Sequence, residues 1–246
     1  MGPVELSVSD LDRSLEYWQT SIGLRLLARA DGRASLGADR ELVRLVEEPG
    51  ATPARGYAGL YHVALLLPTR RDLARWLAHA AQSQVGLEGL SDHAVSEAIY
   101  LRDPDQHGIE IYADRPREQW EGRVMQLMTT IPLDVESLFG EVDEPRAELP
   151  DGTVVGHTHL CVSDVDAAVA FYRNELGMDL MAQLGSQAAF LSWGGYHHHI
   201  GVNAWESRGA PAAPAGTARL LGATIEGAGE ARTTLDPSGN PLSLSA

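Results

Sequence analysis

The stretch Gly156-His157-Thr158-His159-Leu160-Cys161-Val162-Ser163-Asp164 repeats, about 154 positions later, the pattern Gly2-Pro3-Val4-Glu5-Leu6-Ser7-Val8-Ser9-Asp10. Each copy runs into a helical segment that stops near a glycine, at Ile22-Gly23-Leu24 in one and Leu176-Gly177-Met178 in the other. A chain with this self-similarity folds as copies of one small unit. The copies differ where chemistry could sit, because His157 stands opposite Pro3 and His159 opposite Glu5. One copy keeps imidazoles that the other lacks, which suggests a metal site and its degenerate sister.

Four segments read as versions of a strand–helix–strand–strand–strand module. Module one covers about residues 2–48. Its helix places Leu11, Ser14, Leu15 and Trp18 on one face, with Ser9 or Asp10 as N-cap. Module two, about 57–115, has a strand at 60–67, a helix at 71–82 and strands at 97–101 and 108–112, the last two joined by the turn Asp103-Pro104-Asp105. Module three, about 155–205, repeats the order with a helix at 165–175. Module four, about 216–246, is abbreviated: Gly227-Ala228-Gly229-Glu230 occupies the place of the helix. Its Asp236-Pro237-Ser238-Gly239-Asn240 turn matches the Asp103 turn at an offset of about 133.

The expected fold is therefore α+β, four βαβββ modules forming two curved sheets, the fourth truncated and lacking its helix. Along the chain this divides into an N-terminal half, 1–115, a connector, 116–154, with a short helix at 134–139, and a C-terminal half, 155–246. The segment 209–216 is a second linker.

Composition narrows the function. The net charge of -15 at pH 7 repels a phosphate backbone, so no nucleic-acid partner is expected. No apolar run approaches the roughly 18–20 residues that span a bilayer, and the N-terminus carries no secretory pattern. The one cysteine, Cys161, cannot staple the fold, and a cytoplasmic, reducing location is expected.

Several motifs together resemble the vicinal oxygen chelate superfamily, which includes glyoxalases, bleomycin-resistance proteins and extradiol dioxygenases. They are residues 59–68 (Gly-Leu-Tyr-His-Val-Ala-Leu-Leu-Leu-Pro), 91–101 (Ser-Asp-His-Ala-Val-Ser-Glu-Ala-Ile-Tyr-Leu), 109–116 (Ile-Glu-Ile-Tyr-Ala-Asp-Arg-Pro) and 194–201 (Gly-Gly-Tyr-His-His-His-Ile-Gly). Within that superfamily the chain is most similar to catechol-2,3-dioxygenase-type proteins. The resemblance covers essentially everything except the shortened fourth module.

The resemblance implies that two modules curl into a cup, with metal ligands on first and last strands. Candidates are then His62 and Glu110 in module two and His157 in module three, while Pro3 and Ser243 occupy the matching places in modules one and four. Pairing in chain order leaves neither cup with three ligands. Pairing two with three, and one with four, unites His62, Glu110 and His157, the two-histidine, one-carboxylate set that suits non-haem Fe(II), with Mn(II) or another divalent ion as alternatives. His159 remains a rival for the place of His157.

By the same resemblance His198 holds the acid–base position, His93 is the substrate-side histidine and Tyr100 hydrogen-bonds the reacting oxygen. Register decides which of His197, His198 and His199 faces the cup. Phe190, Trp193, Tyr196 and Trp205 are candidate aromatic walls or core residues. His79 is expected to face solvent, His107 to serve a turn, and Cys161 to share the face of His157 and His159.

The implied activity is extradiol cleavage of a small aromatic diol by O2. A glyoxalase-like lyase or isomerase and a metal-free small-molecule-binding protein are the alternatives. A homodimer is compatible with the truncated module.

Overall fold

A computed structural model describes residues 1–227 and 231–245. Two large sheets organise it. The nine-stranded sheet runs Ile131–Pro132, Gly89–Asp92, Ser96–Arg102, Gly108–Asp114, Gly59–Leu66, Val154–Cys161, Ile200–Asn203, Ala188–Ser192, Asp179–Leu184. The seven-stranded sheet runs Arg232–Leu235, Pro241–Leu244, Leu220–Ile225, Val4–Val8, Glu41–Glu47, Arg33–Gly37, Arg25–Ala30. The first therefore unites modules two and three and the second modules one and four, the nested arrangement expected from the ligand positions. Each sheet takes one module from each half of the chain.

Local sequence explains the helices. Leu11–Tyr17 and Val165–Leu176 start at Asp10 and Asp164, whose carboxylates accept from the backbone N–H groups of Arg13 and Ala167. Thr69 caps Arg70–Gln82 in the same way. The first helix widens at Trp18–Ile22 before Gly23 closes it in the left-handed conformation. These helices bury Leu11 and Leu15, Leu73 and Leu77, and Val165 and Val169 in a core shared by both sheets. Among the described residues no helix lies between Leu220–Ile225 and Arg232–Leu235; residues 228–230, where the helix was expected to be missing, lie outside them.

The connector holds more than the one short helix expected at 134–139. Besides Val135–Phe139 it forms short turns at Arg117–Gln119 and Val124–Leu127, and Ile131–Pro132 joins the edge of the nine-stranded sheet. His79, expected to face solvent, is half-buried, with Nε2 3.1 Å from the Thr20 carbonyl. The Arg70–Gln82 helix packs beside the end of module one's helix, where Trp76 Nε1 also donates to the Ile22 carbonyl.

The two Asp-Pro turns do the same work in each half. Asp103 Oδ1 accepts from the N–H groups of Asp105 and His107 at 3.0 and 2.8 Å, and Trp18 Nε1 donates to its Oδ2 at 3.3 Å. Asp236 Oδ1 accepts from Ser238 and Asn240 at 2.8 and 2.9 Å, and the Tyr172 hydroxyl donates to its Oδ2 at 3.3 Å. Trp18 and Tyr172 are counterparts in the repeat. Each turn thus ties one sheet to a helix of the other. His107 donates its backbone N–H within the turn, and its Nε2 lies 2.8 Å from the Ser7 carbonyl of the other sheet.

Replacing Asp103 or Asp236 by Ala would strand several buried donors. Each change is expected to lower unfolding free energy by about 2–4 kcal/mol, read by urea denaturation. Losses below about 0.5 kcal/mol at both sites, typical of a neutral surface change, would contradict the shared-tie account.

Candidate metal centre and cavity

Two rows of side chains cross one face of the nine-stranded sheet. In the first, Tyr100 lies opposite Glu110, Glu110 opposite Ala64, and Ala64 opposite His157. In the second, His62 lies opposite His159, His159 opposite Gly201, and Gly201 opposite Phe190. The two-residue strand period puts His62 and Ala64 on the same face, as it does His157 and His159.

Small residues make room for the rings. Ala64 is fully buried between Glu110 and His157 in the row. A Cβ on Gly201 would come within 2.8 Å of the His159 ring, and one on Gly156 would meet the Tyr112 hydroxyl at 1.8 Å. Nothing in the residue pattern alone singles out these three positions.

His62, Glu110 and His157 converge. His62 Nε2 lies 2.9 Å from Glu110 Oε2, His157 Nε2 lies 3.2 Å from the same oxygen, and the two imidazole Nε2 atoms are 3.2 Å apart. All three residues are buried. His159 is outside this group: its ring packs against Tyr61, Phe190 and Trp205.

The donor set fits a divalent cation. With metal–ligand bonds of about 2.1 Å, neighbouring donors on an octahedral face lie about 3.0 Å apart and tetrahedral ones about 3.4 Å. The observed edges, 2.9–3.2 Å, lie near these spacings, so one ion could meet all three donors, and three protein ligands leave further positions for exogenous ligands. Electrostatics agrees. Three lone-pair-bearing atoms directed at one buried point repel one another unless a cation or proton lies between them.

Burial opposes ionisation of Glu110, yet the His157 and His62 imidazoles outweigh it and hold the carboxyl well below its ordinary range. Burial pulls His157 down from 6.5 to about 4, against the pull of Glu110, so the ring is neutral and able to donate its lone pair. His157 Nδ1 has no hydrogen-bond partner among the described residues, and packing fixes the ring: His198 lies 4.0 Å away and Tyr112 5.0 Å, centre to centre.

The cluster opens into a cavity of about 620 Å³. His93 and Tyr100 stand on one side, with His93 Nε2 2.7 Å from the Tyr100 hydroxyl and His93 Nδ1 2.7 Å from the Thr129 carbonyl. Burial, reinforced by Glu110, raises Tyr100 well above its usual 10, so the phenol keeps its proton. The connector's Met125, Met128, Thr129 and Thr130 roof this side, a role that the residue pattern does not reveal.

The triple histidine resolves three ways. Residues 197–199 precede the strand Ile200–Asn203, so strict alternation does not govern them. His198 lines the cavity, His197 turns to Asp114, and His199 faces away, its Nδ1 meeting Ser192 Oγ at 2.8 Å. Phe190 and Trp205 line the cavity, whereas the Trp193 indole caps the Leu176 carbonyl and Tyr196 bonds Tyr112 and Asp114. Cys161 does not line the cavity. The extra residue where the pairing slips is Tyr61 on the neighbouring strand, while Thr158 to Cys161 pair without a break with Ile200–Asn203, so alternation keeps Cys161 on the face of His159; burial raises its thiol to about 11.

Four imidazoles are held neutral by burial: His157 and His199 at about 4, and His159 and His198 well below 6.5. Their unfolded counterparts take protons near 6.5. The unfolded chain therefore binds more protons as pH falls from about 6.5 towards 4, and stability drops across that window. In chelator-treated protein the unfolding midpoint should be level above pH 7 and fall progressively below about 6.5; a midpoint flat or rising down to pH 5 would refute this.

A sequence profile of the Glyoxalase/Bleomycin resistance protein/Dioxygenase superfamily matches residues 1–111 and 154–224. The chain is 45% identical over 230 residues to the catechol-2,3-dioxygenase of Bacillus subtilis (strain 168), a match covering 89% of this chain and 80% of that one. Among solved structures, glyoxalase I from Zea mays matches with a TM-score of 0.60 at 15% identity, covering 99% of this chain and 91% of that one. The cppA protein of Streptococcus pneumoniae TIGR4 matches with a TM-score of 0.57 at 11% identity, covering 99% and 96%. At such identities the two structures speak for the fold alone. The profile and the Bacillus relative go further: this chain belongs to the Glyoxalase/Bleomycin resistance protein/Dioxygenase superfamily.

Proposed function

We propose that the protein is an Fe(II)-dependent extradiol dioxygenase that cleaves a catechol-type ring beside its diol with O2. The observation that carries this reading is the buried His62–Glu110–His157 cluster, with edges of 2.9–3.2 Å, opening into a cavity flanked by His93, Tyr100 and His198. Similarity to a catechol-2,3-dioxygenase supports the substrate class.

His62, Glu110 and His157 would hold the ion. Two imidazoles and one carboxylate with open neighbouring positions suit Fe(II), with Mn(II) the nearest substitute. When bound, the ion would bring diol and dioxygen together and carry electron density between them.

The surrounding residues supply orientation and proton handling. Phe190, Trp205, Met125 and Met128 give apolar walls against which an aromatic ring packs. His93 Nδ1 donates to the Thr129 carbonyl, which leaves Nε2 to accept from the Tyr100 hydroxyl. Tyr100 is thereby aimed and its oxygen remains able to accept from a substrate hydroxyl. His198, neutral through burial, takes a proton from the diol and later returns one to the ring-opened product.

Anaerobic loading with Fe(II) and a catechol panel, followed by oxygen, should give a yellow ring-cleavage product with matching oxygen uptake. Glu110→Gln or His62→Ala should abolish metal retention and lower activity at least about 1000-fold, whereas His198→Asn should keep the metal and lose about 100-fold in kcat. No oxygen uptake across the panel by iron-loaded protein would reject the proposal.

A further inference from the structure

Behind the cavity wall lies a chain of buried and half-buried polar groups that the proposed chemistry does not yet use. Asp114, at the end of the strand that carries Glu110, places Oδ1 2.9 Å from His197 Nε2. The Tyr196 hydroxyl donates to the same oxygen at 3.2 Å and is itself 2.9 Å from the Tyr112 hydroxyl. His197 Nδ1 lies 2.8 Å from His198 Nδ1. His197 is fully buried and clamped between aromatic rings, with Tyr196 4.0 Å and Trp120 5.4 Å from it, centre to centre.

These contacts leave one consistent order of protons. A carboxylate only accepts, so His197 must donate through Nε2–H. A neutral ring then keeps a lone pair at Nδ1. The short Nδ1···Nδ1 contact needs a proton, which only His198 can supply. His198 is therefore protonated at Nδ1 and bare at Nε2, the nitrogen left for the cavity.

The geometry points to Asp114 and His197 as positioning residues that fix the tautomer of His198, so that it meets a substrate hydroxyl as a proton acceptor rather than a donor. The inference rests on the dioxygenase reading for its chemical use, and on the hydrogen bonds alone for the tautomer. It also gives the His-His pair a division of labour: one ring touches the substrate and the other sets its polarity. A serine-protease triad depends on its aspartate in the same sense, since replacement by asparagine there costs about 10⁴-fold through the wrong tautomer.

The test reads the tautomer directly. Full-length protein labelled with ¹⁵N-histidine and treated with chelator is examined by two-bond ¹H–¹⁵N correlation, with His197→Gln and His198→Gln providing assignments. His198 should show a protonated Nδ1 and a bare Nε2, and His197 the reverse. In Asp114→Asn the amide donates to His197 Nε2, so both rings should exchange tautomers. Asp114→Glu should restore the original pattern, and Tyr196→Phe, which removes only the second bond to Asp114, should leave it unchanged.

With Fe(II) and catechol, Asp114→Asn should lower kcat about 100-fold while KM moves less than about threefold. A proton on His198 Nε2 in the unmodified protein, a doubly protonated His197, or an Asp114→Asn spectrum identical to the original would each overturn the inference. If the unmodified protein cleaves no catechol, the proposed function fails, and the isotope pattern still decides the tautomer.

Discussion

The antiparallel pairing of Gly59–Leu66 with Val154–Cys161 is the contact on which the rest of the site depends. It is the seam between two distant parts of the chain, and its register alone decides whether His157 stands in line with Ala64 and Glu110. A slip of one residue would turn His157 and His159 to the opposite face. Irregularities in the pairing fall on both sides of these histidines, between Val155 and His157 and between His159 and Leu160. They bracket the segment, so the strand can follow the twist of a nine-stranded sheet outside it and keep regular pairing where the side chains converge.

That seam brings together groups that are poor neighbours in the absence of a cation. A buried carboxylate faces two buried imidazoles here, in a protein whose net charge is already -15. The balance among burial, His157 and His62 keeps Glu110 ionised all the same. A site with this electrostatic character favours whatever divalent ion can reach it. The surrounding neutral rings add donors without adding charge, which leaves reactivity to the few groups aimed into the cavity.

The module repeat, the helix caps and the nested pairing were legible because each leaves a mark in the residues themselves: a fixed offset, a capping Asp, a Pro or Ser where a ligand would be. The structure adds that Gly222, opposite Glu5, holds the place that His62 holds opposite His159. What remained hidden depends on contacts between segments far apart. No local pattern tells that Thr129 would receive His93, or that Gly156 and Gly201 are small because a hydroxyl or a ring presses on each. The orientation of His197 to His199 was undecidable from alternation, since that segment is not strand.

The seven-stranded sheet explains why a duplicated fold would retain a half that lost its donors. Its Pro3–Thr224–Ser243 row parallels His157–Ala64–Glu110 and offers no comparable ligand set. Its contribution is position. Ser9 and Arg13 bind Asp105 at 2.6–3.0 Å, Trp18 binds Asp103, and His107 reaches the Ser7 carbonyl. All of these grip the turn immediately before Gly108–Asp114, the strand that carries both Glu110 and Asp114. A buried carboxylate must hold its place within a fraction of an ångström to serve a metal, and a turn anchored at both carboxylate oxygens of Asp103 supplies that rigidity. Module four keeps the corresponding Asp236–Tyr172 tie while having too few residues between Ile225 and Arg232 for a helix like the others. The tie survives where the helix does not because bracing a sheet needs a fixed corner, whereas enclosing a reaction needs a complete cup.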